Sequence, residues 1–213
     1  RRRIPEMWDV DDPVLAGPVQ NQDSYMQSVA AQRPYFFDHV QPITEEAFEK
    51  FYELTGRRYD RVMNYRTDDA DYLIVGQGSL IPTAEAVADW IREKRGIKVG
   101  VVNIVMFRPV PGDLLSKVLK GRKGVAVLER TDQPLASDLP LMREIRATLS
   151  KSLENGRSKN GLPYADLASF MNLHDLPDLY SGSVGLGSRA LQPEGVVAAM
   201  ENMLPDGTPN RLV

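Results

Sequence analysis

Cysteine is absent from the 213-residue sequence. Its absence excludes disulfides, thiolate nucleophiles, cysteine-bound zinc and cysteine-bound iron–sulfur clusters within these residues. The two histidines, His39 and His174, lie far apart and neither belongs to a metal-ligand spacing pattern, which argues against a histidine-based metal site. A chain without cysteine is typical of a reducing compartment, and we therefore expect a cytoplasmic protein.

The sequence also lacks a strong charge of one sign and a long hydrophobic run. Its 26 basic residues are balanced by 29 acidic ones, which leaves no charge footprint for nucleic acid or an anionic membrane. No apolar run approaches the roughly 20 residues of a membrane span, and no apolar secretory segment stands at the start. We expect neither nucleic acid nor membrane as a partner. The first residue is Arg1 and not methionine, so we expect the chain to be part of a longer protein.

Residues 1–66 contain few strand-like runs, and five prolines divide this stretch into short pieces. We predict an N-terminal arm with one helix over about 24–32 and a second over 44–54, whose first turn is acidic as the helix dipole favours. The second helix carries three aromatic residues on one face, which we expect to pack against the following domain. They are Phe48, Phe51 and Tyr52.

From residue 71 onward, short apolar runs alternate with segments of helical periodicity. This alternation predicts a three-layer α/β/α fold with an open, mostly parallel sheet. We divide the chain into the arm (1–66), the α/β domain (67–205) and a tail (206–213). The predicted strands cover 72–75, 99–105 (central), 125–128 and 180–184, and the helices cover 81–95, 113–119, 139–153 and the segment after Pro193.

Two glycine loops follow predicted strands. They contain Gly76, Gly78 and Ser79, and Gly185, Gly187 and Ser188. Glycines between a strand and a helix can present backbone N–H groups to a phosphate, or they can adopt positive φ and allow close packing. The first loop lacks the third glycine of the dinucleotide fingerprint, which argues against a nicotinamide cofactor. We favour the structural role and keep the phosphate cradle as an alternative.

Other candidate groups do not assemble an active site from the sequence alone. Glu129 and Arg130 follow a predicted strand and are expected to lie on the same sheet edge as the glycine loops, where they favour an interdomain ion pair. His174 has an adjacent carboxylate but no nucleophile elbow, so a hydrolase triad is not supported. The thiamine-binding pattern G-D-G is absent, and Gly112-Asp113 is the nearest approach to it.

Five segments occur in order along the chain: GPVQNQDSY (17–25), YLIVGQGS (72–79), VVNIVMFRP (101–109), VLERT (127–131) and GLGS (185–188). Together they resemble the pyruvate:ferredoxin (flavodoxin) oxidoreductase family, from about Gly17 to about Met203. The first is similar to the family's G-x-x-Q-N-x-D-x-Y, and the fourth to its L-D-R-T with Glu129 in place of aspartate. Asp132-Gln133-Pro134 departs from the family's K-E-P, and the two departures leave the 2-oxo acid undecided.

The resemblance implies a fragment that covers the end of the first thiamine-type domain and the second, transketolase C-terminal-like domain. The parent enzyme would decarboxylate pyruvate oxidatively with coenzyme A, using thiamine diphosphate, Mg and [4Fe-4S] clusters, and pass electrons to ferredoxin or flavodoxin. The resemblance also implies a homodimeric parent, with the remaining domains of the polypeptide as partners. This fragment is expected to bind no cofactor or metal and to be inactive alone. Gln20, Asn21 and Asp23 are candidates for facing the active site.

Two alternatives stay open at this point. The chain could be a free-standing phosphate- or nucleotide-binding α/β module that uses the two glycine loops. It could also be the C-terminal domain of a transketolase or of a 2-oxo acid dehydrogenase E1 component, although the arm around Gln20 disfavours this assignment.

Overall fold

The chain divides into two compact units, Arg1–Glu46 and Ala47–Val213. The computed structural model describes residue 11, residues 20–207 and residues 210–211. The predicted domain boundary after residue 66 stays a prediction. In the described ranges, no helix is long and apolar enough to cross a membrane.

The N-terminal unit contains α1 (Gln22–Gln32) and the start of α2 (Asp38–Thr55). A π-helical turn, Arg33–Phe37, joins them, and the Asp38 N–H donates to the Arg33 carbonyl five residues earlier. The wide turn accommodates Pro34, which cannot donate a backbone hydrogen bond. The two predicted helices are therefore confirmed, but α2 begins earlier than expected and contains Pro42 inside it.

The aromatic face of α2 is not buried as predicted. Phe51 and Tyr52 are 39% and 38% exposed, and Phe48 is half-buried. The rings of Phe48 and Phe51 lie 6.4 and 5.7 Å from the ring of Tyr59, and Arg58 stacks on Tyr52 at 4.5 Å. These side chains thus pack on the segment that directly follows the helix, and the expectation that they are buried against the α/β domain was wrong.

A mixed five-stranded sheet forms the centre of the second unit, with the order β1-β3-β2-β4-β5. The strands β2 to β5 are mutually parallel, and β1 pairs antiparallel with β3. The middle strand is β2, so the prediction that 99–105 is central was wrong. Strand β1 was not predicted. The bounds are β1 (Val62–Tyr65), β2 (Tyr72–Gly76), β3 (Val99–Ile104), β4 (Gly124–Glu129) and β5 (Asp178–Ser183).

Helices cover both faces of this sheet, as the sequence predicted. Ile74 and Leu128 face α3 (Ile81–Arg95) and α6 (Pro193–Asn202) in one hydrophobic cluster. Leu73 and Val127 face α4 (Gly112–Leu119) and α5 (Pro140–Arg157) in the other. Because successive strand residues point to opposite faces, continuous apolar strands can serve both clusters. The three-layer α/β/α architecture is confirmed.

Asn155 and Gly156 lie inside the last turn of α5, not beyond its end as predicted. The Asn155 amide is buried: its Oδ1 accepts from the Tyr164 N–H at 3.0 Å, and its Nδ2 donates to the carbonyls of Tyr164 (2.8 Å) and Leu167 (3.1 Å). A Cβ at Gly156 would lie 1.8 Å from the Phe170 carbonyl oxygen. The pair therefore anchors the loop after α5 rather than only terminating the helix.

A bidentate ion pair connects β1 to the start of α4. Arg61 donates to both carboxylate oxygens of Asp113, at 2.9 and 2.7 Å, and the two side chains are 9% and 24% exposed. Hydrogen bonding to Arg61 lowers the pKa of the Asp113 carboxyl. Asp113, the nearest approach to the aspartate of a G-D-G pattern, therefore links the edge strand β1 to helix α4.

Replacement of Arg61 by methionine should destabilise the fold by about 2–4 kcal/mol, because it leaves the Asp113 carboxylate partly buried without its partner. A carboxyl whose folded pKa is depressed stabilises the protein above its unfolded pKa of about 3.9. The difference between wild type and variant should therefore shrink as the pH falls below about 4. Urea unfolding at pH 7 and pH 3 measures both effects.

Lys94→Met is the matched control, since Lys94 forms an exposed ion pair with Glu93. We expect its effect to stay within about 0.5 kcal/mol. Equal losses in the Arg61 and Lys94 variants would contradict a stabilising role for the Arg61–Asp113 pair.

Candidate functional site at the carboxyl edge of the sheet

The loops that follow the parallel strands meet at one edge of the sheet. Strands β2, β4 and β5 are adjacent and parallel, so the segments after Gly76, Glu129 and Ser183 leave the sheet on the same side. Open α/β sheets bind ligands at this edge. The structure therefore brings together both glycine loops and the Glu129-Arg130 pair, as the sequence predicted.

Glu129 is the last residue of β4 and is only 5% exposed. Its carboxylate accepts from the backbone N–H groups of Leu141 (2.6 Å) and Met142 (3.1 Å), in the first turn of α5. Neither Leu139 nor Pro140 can cap this helix, because neither side chain has an oxygen that could accept from the free N–H groups of the first turn. Burial raises the pKa of Glu129, while the two backbone hydrogen bonds oppose that rise. Glu129 thus caps α5 from the neighbouring strand.

Arg130 binds a different part of the edge. Its Nε donates to the Gly185 carbonyl at 3.1 Å, and its Nη2 donates to the Arg189 carbonyl at 2.9 Å. Successive residues at a strand end point to opposite faces, which separates the Arg130 side chain from that of Glu129. The guanidinium therefore holds the second glycine loop, while an interdomain role for Glu129 and Arg130 stays a prediction.

In the first glycine loop, one glycine has a positive φ and the other lies too close to its neighbours for a side chain. Gly78 has φ +72°, in the left-handed region. A Cβ at Gly76 would lie 2.8 Å from a Leu80 methyl and 3.1 Å from the Leu128 carbonyl oxygen. Ser79 is exposed beside them. Gly78 thus has the positive φ, and Gly76 the close packing, that the structural interpretation predicts.

Three residues of the second glycine loop have positive φ. Gly185, Gly187 and Ser188 have φ of +65°, +62° and +63°. Positive φ in a serine is uncommon and places successive backbone groups in an unusual orientation. The Ser183 hydroxyl also donates to the Thr131 carbonyl at 2.5 Å, which joins this loop to the end of β4. The structural interpretation predicts either positive φ or close packing at Gly185 and Gly187, and both glycines have positive φ.

The His174-Asp175 pair forms a capping turn. The Asn172 side chain accepts from the His174 N–H at 2.9 Å, and Asp175 accepts from the Met171 N–H at 2.7 Å. Both side chains of the capping box are therefore used locally. Among the residues that the structure describes, no group of three or more His, Cys, Asp and Glu is placed to hold a metal ion.

Gln20, Asn21 and Asp23 lie at the start of α1 in the N-terminal unit, and all three are exposed. Gln20 donates to the Ser28 hydroxyl at 3.3 Å, and Asp23 accepts from the Ser24 N–H at 3.1 Å. Gly17 to Val19, which precede them in the resemblance, lie outside the described residues. A role of these polar side chains toward an active site stays a prediction.

The sequence matches a known family over more than half of its length. Residues 70–194 match pyruvate:ferredoxin oxidoreductase core domain II, and the chain belongs to this family. The resemblance found in the five segments is thereby confirmed.

Curated relatives extend the match over nearly the whole chain. A probable pyruvate-flavodoxin oxidoreductase of Escherichia coli K12 is 32% identical over 91% of this chain and 15% of its own length. Pyruvate synthase subunit PorA of Thermotoga maritima is 31% identical over 93% of this chain and 44% of its own length. A pyruvate:ferredoxin oxidoreductase of Moorella thermoacetica is 31% identical over 91% of this chain and 15% of its own length. The chain thus spans less than half of each of these relatives.

Replacement of Glu129 by alanine should cost about 2–4 kcal/mol of stability, because two buried N–H groups of α5 lose their acceptor. Asp132→Ala, a nearby exposed carboxylate, should change stability by less than about 0.5 kcal/mol. Urea unfolding of both variants is the measurement. A loss below about 1 kcal/mol for the Glu129 variant would show that the cap is not important for the fold.

Alanine at Gly185 should destabilise the fold by about 2–3 kcal/mol, and alanine at Gly187 by only about 1–2 kcal/mol. Both positions have positive φ, but only at Gly185 would a Cβ meet other atoms, the Arg130 Nε at 3.0 Å and the Arg189 carbonyl oxygen at 3.1 Å. The two variants are therefore matched for backbone strain and differ in steric contact. Equal unfolding free energies, measured in urea, would show that these close contacts do not restrict position 185.

Proposed function

We propose that this chain is a structural, non-catalytic part of an oxidoreductase that decarboxylates pyruvate, or a related 2-oxo acid, oxidatively with coenzyme A. The parent enzyme would depend on thiamine diphosphate and iron–sulfur clusters and would pass electrons to ferredoxin or flavodoxin. Membership of the family supports the class of enzyme. The names of the relatives support pyruvate as substrate and ferredoxin or flavodoxin as acceptor.

The observation that carries the structural role is the use of polar groups at the carboxyl edge. Glu129 caps a helix, Arg130 binds two loop carbonyls, and Ser183 joins two loops. A general acid or base needs a side chain within reach of a substrate proton. Here the carboxylate and the guanidinium bind the unit's own backbone, which suits an element that maintains geometry for a site elsewhere.

The residues of this chain do not fit the cofactors of the proposed parent. The sequence has no cysteine to ligate a [4Fe-4S] cluster. The nearest approach to the G-D-G pattern places Asp113 in an ion pair with Arg61. Thiamine diphosphate, Mg and the clusters would therefore be held by other parts of the parent enzyme.

The proposal also includes the partners of the parent enzyme and its location in the cell. The remaining domains of the same protein would contact this unit, in a parent that forms a homodimer in the cytoplasm. Gln20, Asn21 and Asp23 would lie near the active site from the end of the preceding domain. Glu129 and Arg130 would then act on a neighbouring domain only through the loops and helix that they hold.

A second candidate function is a phosphate-binding module. Three residues of the loop 185–188 have positive φ, and such successive backbone N–H groups can form an anion-binding concavity. A Cβ at Gly187 would meet nothing within 4 Å, so that part of the loop is open. Against this function, the Arg130 guanidinium already donates to two carbonyls of the same region.

The isolated chain should not bind thiamine diphosphate and Mg with a Kd tighter than roughly 10 μM, about −7 kcal/mol. It should also show no pyruvate-dependent reduction of a viologen dye, because it lacks the residues that hold the cofactors. Calorimetry and a dye assay are the measurements. Tighter binding would overturn the structural role.

Titration of the same chain with inorganic phosphate, a nucleotide and coenzyme A separates the two candidate functions. The structural role predicts no saturable binding. Saturable binding that Ser188→Ala weakens while the unfolding free energy stays unchanged would instead support the phosphate-binding module, because alanine removes the hydroxyl without a change in the backbone.

A further inference from the structure

The outer edge of β5 carries backbone N–H and C=O groups that no other strand of the sheet pairs. Strand β5 pairs with β4 on one side only and stands last in the sheet order. Unpaired N–H and C=O groups on such an edge can bind another extended segment. In a parallel strand these groups belong to alternate residues, here Leu179, Ser181 and Ser183.

Arg211 occupies this edge through its backbone and its side chain. The Ser181 N–H donates to the Arg211 carbonyl at 2.9 Å, while the guanidinium donates to the Leu179 carbonyl at 3.3 Å and to the Asp178 carboxylate at 3.0 Å. The guanidinium also stacks on the Tyr180 ring at 4.5 Å from its centroid. One arginine thus binds two edge groups, a carboxylate and an aromatic face.

Asn202, the last residue of α6, binds the backbone of the preceding residue. Its Oδ1 accepts from the Asn210 N–H at 2.9 Å, and its Nδ2 donates to the Asn210 carbonyl at 2.8 Å. A side-chain amide that pairs with both backbone groups of one residue binds that residue whatever its side chain is. The contacts of Asn202 and of β5 therefore engage two successive residues, Asn210 and Arg211.

We propose that the outer edge of β5 and Asn202 form a docking site for a peptide segment that carries an arginine. The occupant is the C-terminal segment of this chain around Arg211. Main-chain hydrogen bonds to a sheet edge supply affinity in this mode of recognition, and side-chain contacts supply specificity. Arginine fits because its planar guanidinium can stack on Tyr180 and donate to Asp178 and Leu179 together.

The attachment of this segment to α6 decides which occupant is bound. A covalent link of seven residues between Asn202 and Asn210 gives the segment an effective concentration in the millimolar range. A free peptide at micromolar concentration therefore competes poorly with it. The site becomes available to another segment only when the C-terminal segment is released.

The first test uses the full chain and amide hydrogen exchange at Ser181. Arg211→Ala should accelerate exchange of this amide at least about tenfold, because the segment that supplies its acceptor is released. Asn202→Ala should have the same effect. Arg108→Ala is the matched control, since Arg108 also forms an ion pair, with Glu144, and stacks on Phe107 at 4.1 Å. Unchanged exchange in both test variants would overturn the proposal.

The second test supplies the segment as a separate peptide. A hexapeptide with the sequence of residues 208–213 should bind the Asn210→Pro/Arg211→Ala chain with a Kd below about 1 mM. It should not bind the wild-type chain measurably, because the site is occupied. A peptide with alanine in place of its arginine should bind at least about tenfold more weakly, as should the wild-type peptide to a chain that also carries Asp178→Asn. Equal binding to wild-type and released chains, or no binding to either, would overturn the proposal.

Discussion

The covering of β2 on both faces is the constraint on which the rest of the α/β unit depends. Leu73, Ile74 and Val75 are fully buried, and alternate residues face opposite helical layers. A strand buried on both sides needs helices above and below it, and parallel neighbours need crossover helices to connect them. The strand order and the positions of α3, α4, α5 and α6 follow from this requirement. They in turn place the loops after β2, β4 and β5 at one edge.

At that edge, polar side chains form hydrogen bonds with backbone groups for which the apolar residues offer no partner. Helix α5 begins at Pro140 after Leu139, neither of which has a side-chain acceptor, and Glu129 supplies the missing acceptor from β4. The connection after β5 turns through residues with positive φ, and Arg130 binds two of its carbonyls. The chemistry-bearing residues of the edge are therefore used to join strands, loops and a helix. This explains why an edge that commonly binds ligands contains no assembled acid–base pair within the described part of the chain.

Much of the fold could be predicted from the sequence because buried apolar residues recur at the spacing of a helix or a strand. The apolar positions of α3 and the left-handed Gly96 after it were sufficient to define that helix. Strand β1 was missed because it is a four-residue edge strand with mixed burial. The Arg61–Asp113 and Asn155–Tyr164 contacts also escaped prediction, since their partners are separated in sequence and pair only after the layers form. The glycine loops were located correctly, but their roles depend on atoms contributed by Leu80, Leu128 and Arg130.

The departure from the family pattern at Glu129 concerns packing within this unit. The sequence segment VLERT has glutamate where the resemblance leads one to expect aspartate, and this carboxylate reaches two N–H groups in the first turn of α5. An aspartate is one methylene shorter and could not place both oxygens at the same two positions without a shift of the helix. Because helix packing in a dense core transmits small shifts to neighbouring elements, the longer side chain fixes the distance between β4 and α5. Glu129 therefore acts on the position of a supporting helix through its own two hydrogen bonds.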